Sequence, residues 1–362
     1  MSLTPVDAVV ALATVYDAVI DVRSPSEFAE DHLPGAVNWP VLDDAERARV
    51  GTLYVQVSPH EARKAGAALV SRNIATHIER DVLALPREWR PLVYCWRGGQ
   101  RSGSLALVLS QIGFRVAQLS GGYKAFRAVV REQLEALPDA LRYVVLCGRT
   151  GSGKTRLLQA LAARGAQVLD LEGLANHRGS LLGAMGPQPA QKRFDTQVWQ
   201  ALRRFDPARP VYVESESARI GTLRVPPRLL DRLRATGQCV RVQMPDAGRV
   251  ALLAEEYAGL VADADACCRA LEPLVALRGR AVVEGWQKLA RGGRNAELIG
   301  ALMAEHYDPL YERSMGHSFA SLASAPVLDV RDGTPESLDE AATRLLVSCP
   351  GNTCHCDGPQ RG

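Results

Sequence analysis

Short apolar runs alternate along the chain with longer segments in which apolar residues recur every three or four positions. In the first third, runs at 19–22, 91–94 and 116–119 are each closed by turn-forming or polar residues. Apolar positions Leu105, Leu109 and Ile112 then lie on one face of a helix. Strands that alternate with helices are typical of a parallel sheet covered on both faces. The pattern predicts an α/β fold, with a doubly wound parallel sheet in residues 1–135.

The same alternation begins again at about residue 142. Apolar runs at 143–147, 167–169 and 211–214 predict buried strands, and 156–161 has helical periodicity. We therefore expect a second α/β domain over residues 142–346. The last segment, 347–362, is rich in Gly, Pro and polar residues, and we expect a flexible C-terminal tail. Its three cysteines and one histidine leave a zinc site open as an alternative.

Length, hydrophobic content, charge and cysteine count indicate a folded protein of two domains. The chain has 362 residues, 47% of them hydrophobic, and a net charge of +3, which suits two folded cores. No charged-apolar-small leader opens it, and no apolar run approaches the ~18 residues of a membrane span. We expect a cytoplasmic protein with no membrane association. Eight cysteines at unrelated spacings favour reduced thiols over a disulfide framework.

Cys95 follows the strand at 91–94 and precedes a helix, in the segment Cys-Trp-Arg-Gly-Gly-Gln-Arg-Ser. At such a turn, backbone N–H groups, the helix N-terminus and Arg101 can stabilise a thiolate, persulfide or phosphoryl group. Gly98 and Gly99 let the backbone curl closely. We predict Cys95 and Arg101 as catalytic residues; the alternative is a buried structural cysteine in a glycine-rich turn.

A phosphate-binding loop lies between the strand at 143–147 and the helix at 156–161. Glycines would let backbone N–H groups wrap a phosphate chain, Lys154 would reach the terminal oxygens, and the Thr155 hydroxyl would bind Mg²⁺. A strand before and a helix after are the context that this motif requires. The predicted phosphate-binding residues are Gly148, Arg149, Thr150, Gly151, Ser152, Gly153, Lys154 and Thr155.

Acidic residues follow two further strands of this domain. Glu214 ends the run at 211–214, Glu216 is its neighbouring alternative, and Asp170 follows the run at 167–169. We predict that they orient a metal or act as acid or base, although an acid at a strand end can simply cap a helix. The polar, glycine-containing segment 171–180 is predicted to be a loop over the phosphate site.

Arginines concentrate between residues 201 and 250, where ten Arg accompany five acidic residues. Such a patch can bind a phosphate backbone, so contact with nucleic acid is one interpretation and a solvated protein surface is the other. The candidate nucleic-acid-binding residues are Arg224, Arg228, Arg232 and Arg234.

These motifs together carry a resemblance. Asp21-Val22-Arg23, His32-Leu33-Pro34-Gly35-Ala36, the Cys95 loop and Gly121-Gly122-Tyr123 resemble a rhodanese domain, although the cysteine loop is one residue longer than the commonest one. That domain is joined to a P-loop domain with Asp-Leu-Glu-Gly-Leu-Ala-Asn-His-Arg-Gly-Ser from 170 and Val-Glu-Ser-Glu-Ser-Ala-Arg-Ile-Gly from 213. The pair resembles tRNA 2-selenouridine synthase over nearly the whole chain, to about residue 346.

The resemblance implies replacement of sulfur by selenium at C2 of wobble 2-thiouridine in tRNA, with selenophosphate as donor. It also implies an S-geranyl intermediate made from geranyl diphosphate. Cys95 would then carry selenium as a selenenyl-sulfide, and the P-loop with Lys154, Arg149 and Thr155-bound Mg²⁺ would hold the diphosphate. A selenophosphate-supplying enzyme is an implied partner, and no flavin or nicotinamide is expected.

Three other functions stay open from the residues alone. An ATP-dependent sulfur-carrier enzyme would use the P-loop to activate a substrate for persulfide attack. A cysteine phosphatase or arsenate reductase-like enzyme shares the Cys-x5-Arg spacing, but no His precedes Cys95 here. A non-enzymatic tRNA-binding or regulatory module could keep both loops for ligand sensing.

Overall fold

The computed structural model describes residues 2–179, 183, 185–315 and 319–348. The chain divides into two compact units, one of residues 1–134 with 189–200 and the other of residues 135–188 with 201–362. The segment 189–200, which the sequence assigned to the second domain, thus belongs to the first unit. Residues 349–362 of the expected tail lie outside the described residues.

The first unit contains a five-stranded sheet in which every neighbouring pair is parallel, in the order β1-β5-β4-β2-β3. Its strands are β1 Ser2–Val6, β2 Ala18–Asp21, β3 Ala36–Asn38, β4 Pro91–Tyr94 and β5 Arg115–Leu119. Its helices up to the start of the second unit are α1 Ala8–Ala13, α2 Pro25–Glu30, α3 Asp44–Gln56, α4 Pro59–His77, α5 Gln100–Ile112 and α6 Gly122–Ala136.

Local sequence explains where these helices begin. Ser24 and Glu27 form a capping box at the start of α2, and Pro25 occupies its first turn. Asp43 and Glu46 do the same for α3. A π-helical turn, Ile78–Val82, continues α4. The core of this unit packs Ile20, Val93 and Leu105 together, and Cys95 belongs to the same cluster.

The second unit contains a parallel sheet in the order β12-β11-β6-β8-β7 and a two-stranded antiparallel ribbon of β9 and β10. The strands are β6 Arg142–Cys147, β7 Gln167–Leu169, β8 Pro210–Glu214, β9 Arg219–Ile220, β10 Leu223–Arg224, β11 Gln238–Gln243 and β12 Val327–Asp329. Strand β6 is central, so the loop that follows it emerges in the middle of the sheet edge.

Helices α7 to α18 complete the chain. They are α7 Lys154–Ala163, α8 Leu171–Ala175, α9 Gln191–Leu202, α10 Pro227–Thr236, α11 Asp246–Glu256, α12 Ala258–Val261, α13 Ala264–Leu271, α14 Val275–Arg278, α15 Arg280–Arg291, α16 Asn295–Leu302, α17 Asp308–Met315 and α18 Pro335–Ser348. Single turns at Leu137–Ala140 and Glu272–Leu274 are 3-10 helical, and Met303–Tyr307 is π-helical. Helix α9 belongs mainly to the first unit. In the described part of the chain no helix could cross a membrane.

The expected α/β architecture with parallel sheets is confirmed in both units. One local expectation was wrong, since residues 171–175 form α8 and not a loop. The Asp170 carboxylate accepts a 2.7 Å hydrogen bond from the Gly173 N–H and so starts this helix. Leu171 and Ala175 are buried beneath it, and Asn176 ends it in the left-handed conformation, with φ of 50°. Ser180 lies outside the described residues.

Candidate functional site

Cys95 lies in the first unit, at the turn from β4 into α5. Its side chain is only 3% exposed, and the Ser102 hydroxyl donates a 3.3 Å hydrogen bond to its Sγ. Ser102 is also held by the Gln118 side-chain amide at 3.0 Å. The thiol therefore faces a polar, buried hydroxyl in the first turn of α5.

Glycines shape the cysteine turn against the loop after β5. Gly98 has φ of +65° and Gly122 φ of +59°, both in the left-handed region. A Cβ at Gly98 would collide with the Leu119 carbonyl oxygen, and one at Gly122 would collide with the Cys95 carbonyl oxygen. Only glycine fits at both places, so the two loops pack closely enough to fix the turn.

Arg101 forms an ion pair with Glu27 at 2.8 Å. Burial opposes ionisation of Glu27, but its bond to Arg101 outweighs this and lowers the pKa of the carboxyl. Arg101 is thus oriented by α2, and part of its charge is compensated there. Catalysis by Cys95 and Arg101 stays a prediction.

Residues of α9 complete the surroundings of the turn. The Lys192 ammonium lies 5.8 Å from the ring centroid of Trp96, the residue after Cys95, and 2.7 Å from the Glu30 carboxylate. The Trp96 ring packs on Tyr123 with centroids 5.3 Å apart. A residue far along the sequence therefore contributes positive charge close to the cysteine loop.

The phosphate loop follows β6 in the second unit. Gly151 and Gly153 have φ of +79° and +80°. An ideal Cβ on Gly148 would lie 2.7 Å from the Val242 carbonyl oxygen, so the loop backbone packs closely there. The Lys154 ammonium donates to the carbonyl oxygens of Gly148 at 2.7 Å and Arg149 at 3.2 Å. The lysine therefore ties the end of the loop to its beginning.

Two arginines near the loop form ion pairs with acidic residues. Arg249, 2% exposed, donates to the Thr150 carbonyl at 3.0 and 2.8 Å and pairs with Asp308 at 2.6 Å. Arg149 pairs with Glu312 at 2.6 Å. Arg249 thus holds the loop in position through the Thr150 carbonyl. The guanidinium of Arg149, predicted to bind phosphate, has a carboxylate partner on α17.

Carboxylates gather beside Thr155. The Thr155 hydroxyl donates to Glu172 at 2.8 Å, and an ideal Cβ on Gly179 would lie 2.9 Å from Glu172 and 3.0 Å from Glu216. Burial raises the pKa of Glu172, and burial followed by repulsion from Glu172 raises the pKa of Glu216 to about 8. Glu172 and Glu216 therefore lie together at the loop, where one of them can carry a proton.

The other predicted acids differ in their surroundings. Glu214 is completely buried at the end of β8, and burial raises its pKa well above the ordinary value. Asp170 caps α8 through Gly173, the structural alternative weighed from the sequence, and it also lines the phosphate-loop pocket. An acid, base or metal-orienting role stays a prediction for Asp170, Glu214 and Glu216.

The residues around Thr155 suit Mg²⁺ in one respect. The Thr155 hydroxyl and the Glu172 carboxylate are oxygen ligands 2.8 Å apart, and Mg²⁺ takes one or two such ligands together with water and phosphate oxygens. Within the described ranges no group of three or more His, Cys, Asp and Glu side chains could hold a metal ion. The protein would therefore share the ion with a phosphate ligand.

A pocket of about 850 Å³ opens beside the phosphate loop within the second unit. Its lining combines the polar residues Lys154, Thr155, Glu172 and Glu216 with apolar and aromatic side chains. The apolar and aromatic residues are Leu252, Leu253, Tyr257, Leu277, Leu310 and Phe319. A ligand with both a phosphate group and an apolar part would match this mixed lining.

The predicted arginine patch is not a single surface of unpaired charge. Arg228 and Arg232 both pair with Asp139, the latter at 3.2 Å. Arg234 lines the phosphate-loop pocket, and Arg224 is exposed on β10. Contact of these four residues with tRNA stays a prediction.

Sequence reasoning missed several residues around the two loops. Glu172 belongs to a motif that was noted, and its position two residues after a strand-end acid could have marked it. Leu253 and Arg249 come from a helix that carries no recognisable motif. Glu27 is visible in sequence only as a helix-capping residue, and Lys192 is separated from Trp96 by almost a hundred residues.

A parallel sheet with a cysteine turn, followed by a second one with a phosphate loop, defines a rhodanese-like domain joined to a P-loop domain. The model of the Rhodanese-like domain matches residues 7–129, and that of the tRNA 2-selenouridine synthase AAA domain matches residues 141–269. With the relatives described next, these matches show that the chain belongs to the tRNA 2-selenouridine synthase family.

Three relatives carry the name tRNA 2-selenouridine synthase. That of Hydrogenovibrio crunogenus is 34% identical over 82% of this chain and 89% of its own length. That of Alcanivorax borkumensis is 33% identical over 81% and 88%, and that of Nitrosomonas europaea is 36% identical over 70% and 66%. Among solved structures, the N-terminal domain of a Clostridium difficile 630 protein described as ATP/GTP binding is 37% identical over 35% of this chain and 98% of its own, with a TM-score of 0.32.

Proposed function

We propose that this protein modifies tRNA by replacing the sulfur of wobble 2-thiouridine with selenium from selenophosphate, through an S-geranyl intermediate made from geranyl diphosphate. Membership of the family supports the overall reaction. The pocket supports the route, because a lining that combines a phosphate loop with apolar and aromatic side chains fits a prenyl diphosphate better than it fits a wholly polar ligand. That pairing is the observation that carries the proposal.

In the proposed first step, the thiocarbonyl sulfur of the base attacks C1 of geranyl diphosphate. A C–S bond forms, the C–O bond to the diphosphate breaks, and pyrophosphate leaves with the electron pair. Lys154 and the loop N–H groups would stabilise the charge that develops on the leaving group. Arg249 supports this role, since its two bonds to the Thr150 carbonyl keep the loop in shape.

Alkylation prepares the base for the second step, because the sulfur can now leave as a neutral geranyl thiol. Selenium takes its place at C2, and the phosphorus of selenophosphate ends as phosphate with an oxygen from water. Cys95 and its turn are proposed to bind the anionic selenium before it is delivered to C2. The Ser102 hydroxyl at 3.3 Å and the N-terminus of α5 favour negative charge there. Lys192 near Trp96 adds a positive charge.

Further participants belong to the same proposal. Mg²⁺ bound by Thr155 and Glu172 would supply charge neutralisation to the diphosphate. Arg224, Arg228, Arg232 and Arg234 are the candidate tRNA contacts. A selenophosphate-supplying enzyme would be a partner, and the cytoplasm the compartment in which tRNA and these substrates meet.

The test is mass analysis of nucleosides from tRNA that contains 2-thiouridine, incubated with the protein. Geranyl diphosphate and selenophosphate are added separately and together, for wild type and Cys95→Ala. We expect selenouridine from wild type with both donors, and a geranylated base that accumulates with Cys95→Ala. Lys154→Ala is expected to convert 2-thiouridine much more slowly than wild type, because its geranylation step is slowed.

Two results would contradict the proposal in different ways. Selenouridine formed at the full rate without geranyl diphosphate would remove the intermediate but keep the overall reaction. No change of the base under any condition, together with ATP hydrolysis by the protein, would favour the ATP-dependent sulfur carrier instead.

A further inference from the structure

Two cavities of the second unit share three lining residues. The phosphate-loop pocket, about 850 Å³, and an apolar cavity of about 20 Å³ are both lined by Leu253, Tyr257 and Tyr307. The small cavity lies among the helices that follow β11, and its other walls include Cys267, Leu298 and Leu302. The three shared residues therefore form the partition between the ligand pocket and the helical core.

Leu253 connects this partition directly to the phosphate loop. An ideal Cβ on Gly151 would lie 2.7 Å from its Cδ1, so the leucine packs against the loop backbone. A diphosphate held by the loop would place the first carbons of its chain near this leucine. The chain would then continue along α11 towards Tyr257, one turn further on, whose N–H donates to the Leu253 carbonyl at 2.9 Å.

Both tyrosines are well placed to stop such a chain. Tyr257 and Tyr307 are each only 8% exposed, so their rings are fixed by packing. The Arg178 guanidinium lies 5.8 Å from the Tyr257 ring centroid, and His306 stacks edge-on to Tyr307 with centroids 4.9 Å apart. Rings held from several sides do not move aside easily.

Part of the remaining apolar lining of the pocket is exposed. Leu277 is 67% exposed and Leu310 is 41% exposed, so they form an open side and not an end. An open side cannot limit the length of a prenyl chain, because extra carbons can extend into solvent there. Leu252 and Phe319 are buried lining residues as well, but within the described pocket lining it is Leu253, Tyr257 and Tyr307 that also border the apolar cavity.

We infer that Tyr257 and Tyr307 set the length of the prenyl chain that the pocket accepts, and that the apolar cavity behind them is the space a longer chain would enter if a ring were removed. This inference rests on the proposed function, because it assumes a prenyl diphosphate in the pocket. It assigns chain-length selection to two residues outside the phosphate loop.

The experiment compares Tyr257→Leu and Tyr307→Leu with wild type. Each protein is given 2-thiouridine tRNA and equimolar mixtures of dimethylallyl, geranyl and farnesyl diphosphate, and the ratio of farnesylated to geranylated base is measured by mass analysis. A pocket that gains or loses room for a few carbons changes such a ratio by roughly tenfold or more. We expect that shift towards farnesyl in at least one variant, and no gain for dimethylallyl.

A matched control is Leu271→Ala, which opens space in the core of the same helices but lines neither cavity. Its product ratio should equal that of wild type. The ratio is measured within one sample, so a loss of folded protein does not alter it. Unchanged ratios in both tyrosine variants, with geranylation by wild type intact, would overturn the inference alone. Absence of any prenylation by wild type would overturn the proposed function and the inference with it.

Discussion

Thr196 donates a 2.9 Å hydrogen bond to the Asp31 carboxylate, although 165 residues separate them in sequence. Tyr123 donates a second 2.9 Å bond to the same oxygen, and the Arg127 guanidinium lies 3.6 Å away. Burial raises the pKa of Asp31 in spite of these partners. A buried carboxylate of the rhodanese-like unit thus depends on a residue from α9, a helix that lies between two parts of the P-loop domain in sequence.

Replacement of Thr196 by valine should destabilise the first unit. The buried Asp31 oxygen would lose one of its two hydroxyl donors, which costs about 1–3 kcal/mol. Denaturant unfolding followed by tryptophan fluorescence measures the change, since Trp199 lies on the same helix. Thr52→Val is the control, because Thr52 is exposed on α3 and bonds only within its helix. Equal midpoints for the two variants would show that the bond to Asp31 contributes nothing.

The rhodanese-like part should not be stable without α9. Phe194, Val198 and Trp199 are buried, and Trp199 packs edge-on to Phe126 with centroids 5.6 Å apart. Loss of a buried Phe or Trp side chain costs about 3–5 kcal/mol. We expect a fragment of residues 1–134 to unfold at lower temperature and less cooperatively than the same fragment joined by a flexible linker to 189–202.

The control for this prediction is the linked fragment with Phe194→Ser and Trp199→Ser. It has the same length but cannot bury the two rings, so it should behave like residues 1–134 alone. Calorimetry of the three fragments makes the comparison. A cooperative transition for residues 1–134 at the temperature of the linked fragment would contradict the prediction.

Some of this structure was readable from local pattern. Strands 91–94 and 167–169 were predicted with the bounds that the structure has, because apolar runs between turn residues identify buried strands. Both loops were placed at strand-to-helix turns by the apolar strand before each loop and the helical pattern after it. Such features depend on neighbours in sequence and need no knowledge of the fold.

What could not be predicted depends on contacts between distant segments. Helix α9 has an ordinary amphipathic pattern, which says that it packs but not on what. Edge strands β1 and β12 lack a distinct apolar run, and β12 is only three residues long. Leu253 and Tyr257 line the pocket because α11 passes the phosphate loop, and nothing in their local sequence indicates that.

Lys154→Ala should separate the two proposed steps. The ammonium that bonds to the Gly148 and Arg149 carbonyls is expected to stabilise departing pyrophosphate, so its loss should slow geranylation about a hundredfold or more. Selenation of tRNA that already carries the geranyl group should proceed at nearly the wild-type rate. Nucleoside mass analysis of each half-reaction measures both rates. Lys288→Ala, an exposed lysine of the same unit, serves as control, and equal slowing of both half-reactions would argue against a leaving-group role.

Ser102→Ala should affect the other step. Loss of a hydrogen bond to a charged chalcogen costs about 1.5 kcal/mol or more, which is roughly a tenfold loss of rate in the selenium half-reaction. Geranylation should be unchanged. Ser104→Ala is the matched control two residues along α5, since the Ser104 hydroxyl bonds only to the Gln100 carbonyl. If both serine variants incorporate selenium at the wild-type rate, the hydroxyl beside Cys95 has no part in the reaction.

Glu216 should make the second unit less stable as pH rises. Its pKa is raised from 4.5 to about 8 by burial and by repulsion from Glu172. Between those values the unfolded chain has lost the proton while the folded protein keeps it, so each step up in pH favours unfolding. Glu216→Gln resembles the protonated form and removes this contribution. We therefore expect equal thermal midpoints at pH 5, and a variant increasingly more stable than wild type towards pH 8.

Thermal unfolding is measured at several pH values in the presence of a chelator, so that no divalent cation holds the carboxylate ionised. Glu284→Gln, on the exposed face of α15, should run parallel to wild type throughout. Glu172 and Glu214 also have raised pKa values, so wild type keeps part of its pH dependence after the substitution. A difference between Glu216→Gln and wild type that stays constant from pH 5 to 8 would mean that Glu216 is already ionised in the folded protein. In that case the carboxylates beside Thr155 would carry their full negative charge, and a cation would be needed there before a diphosphate could bind.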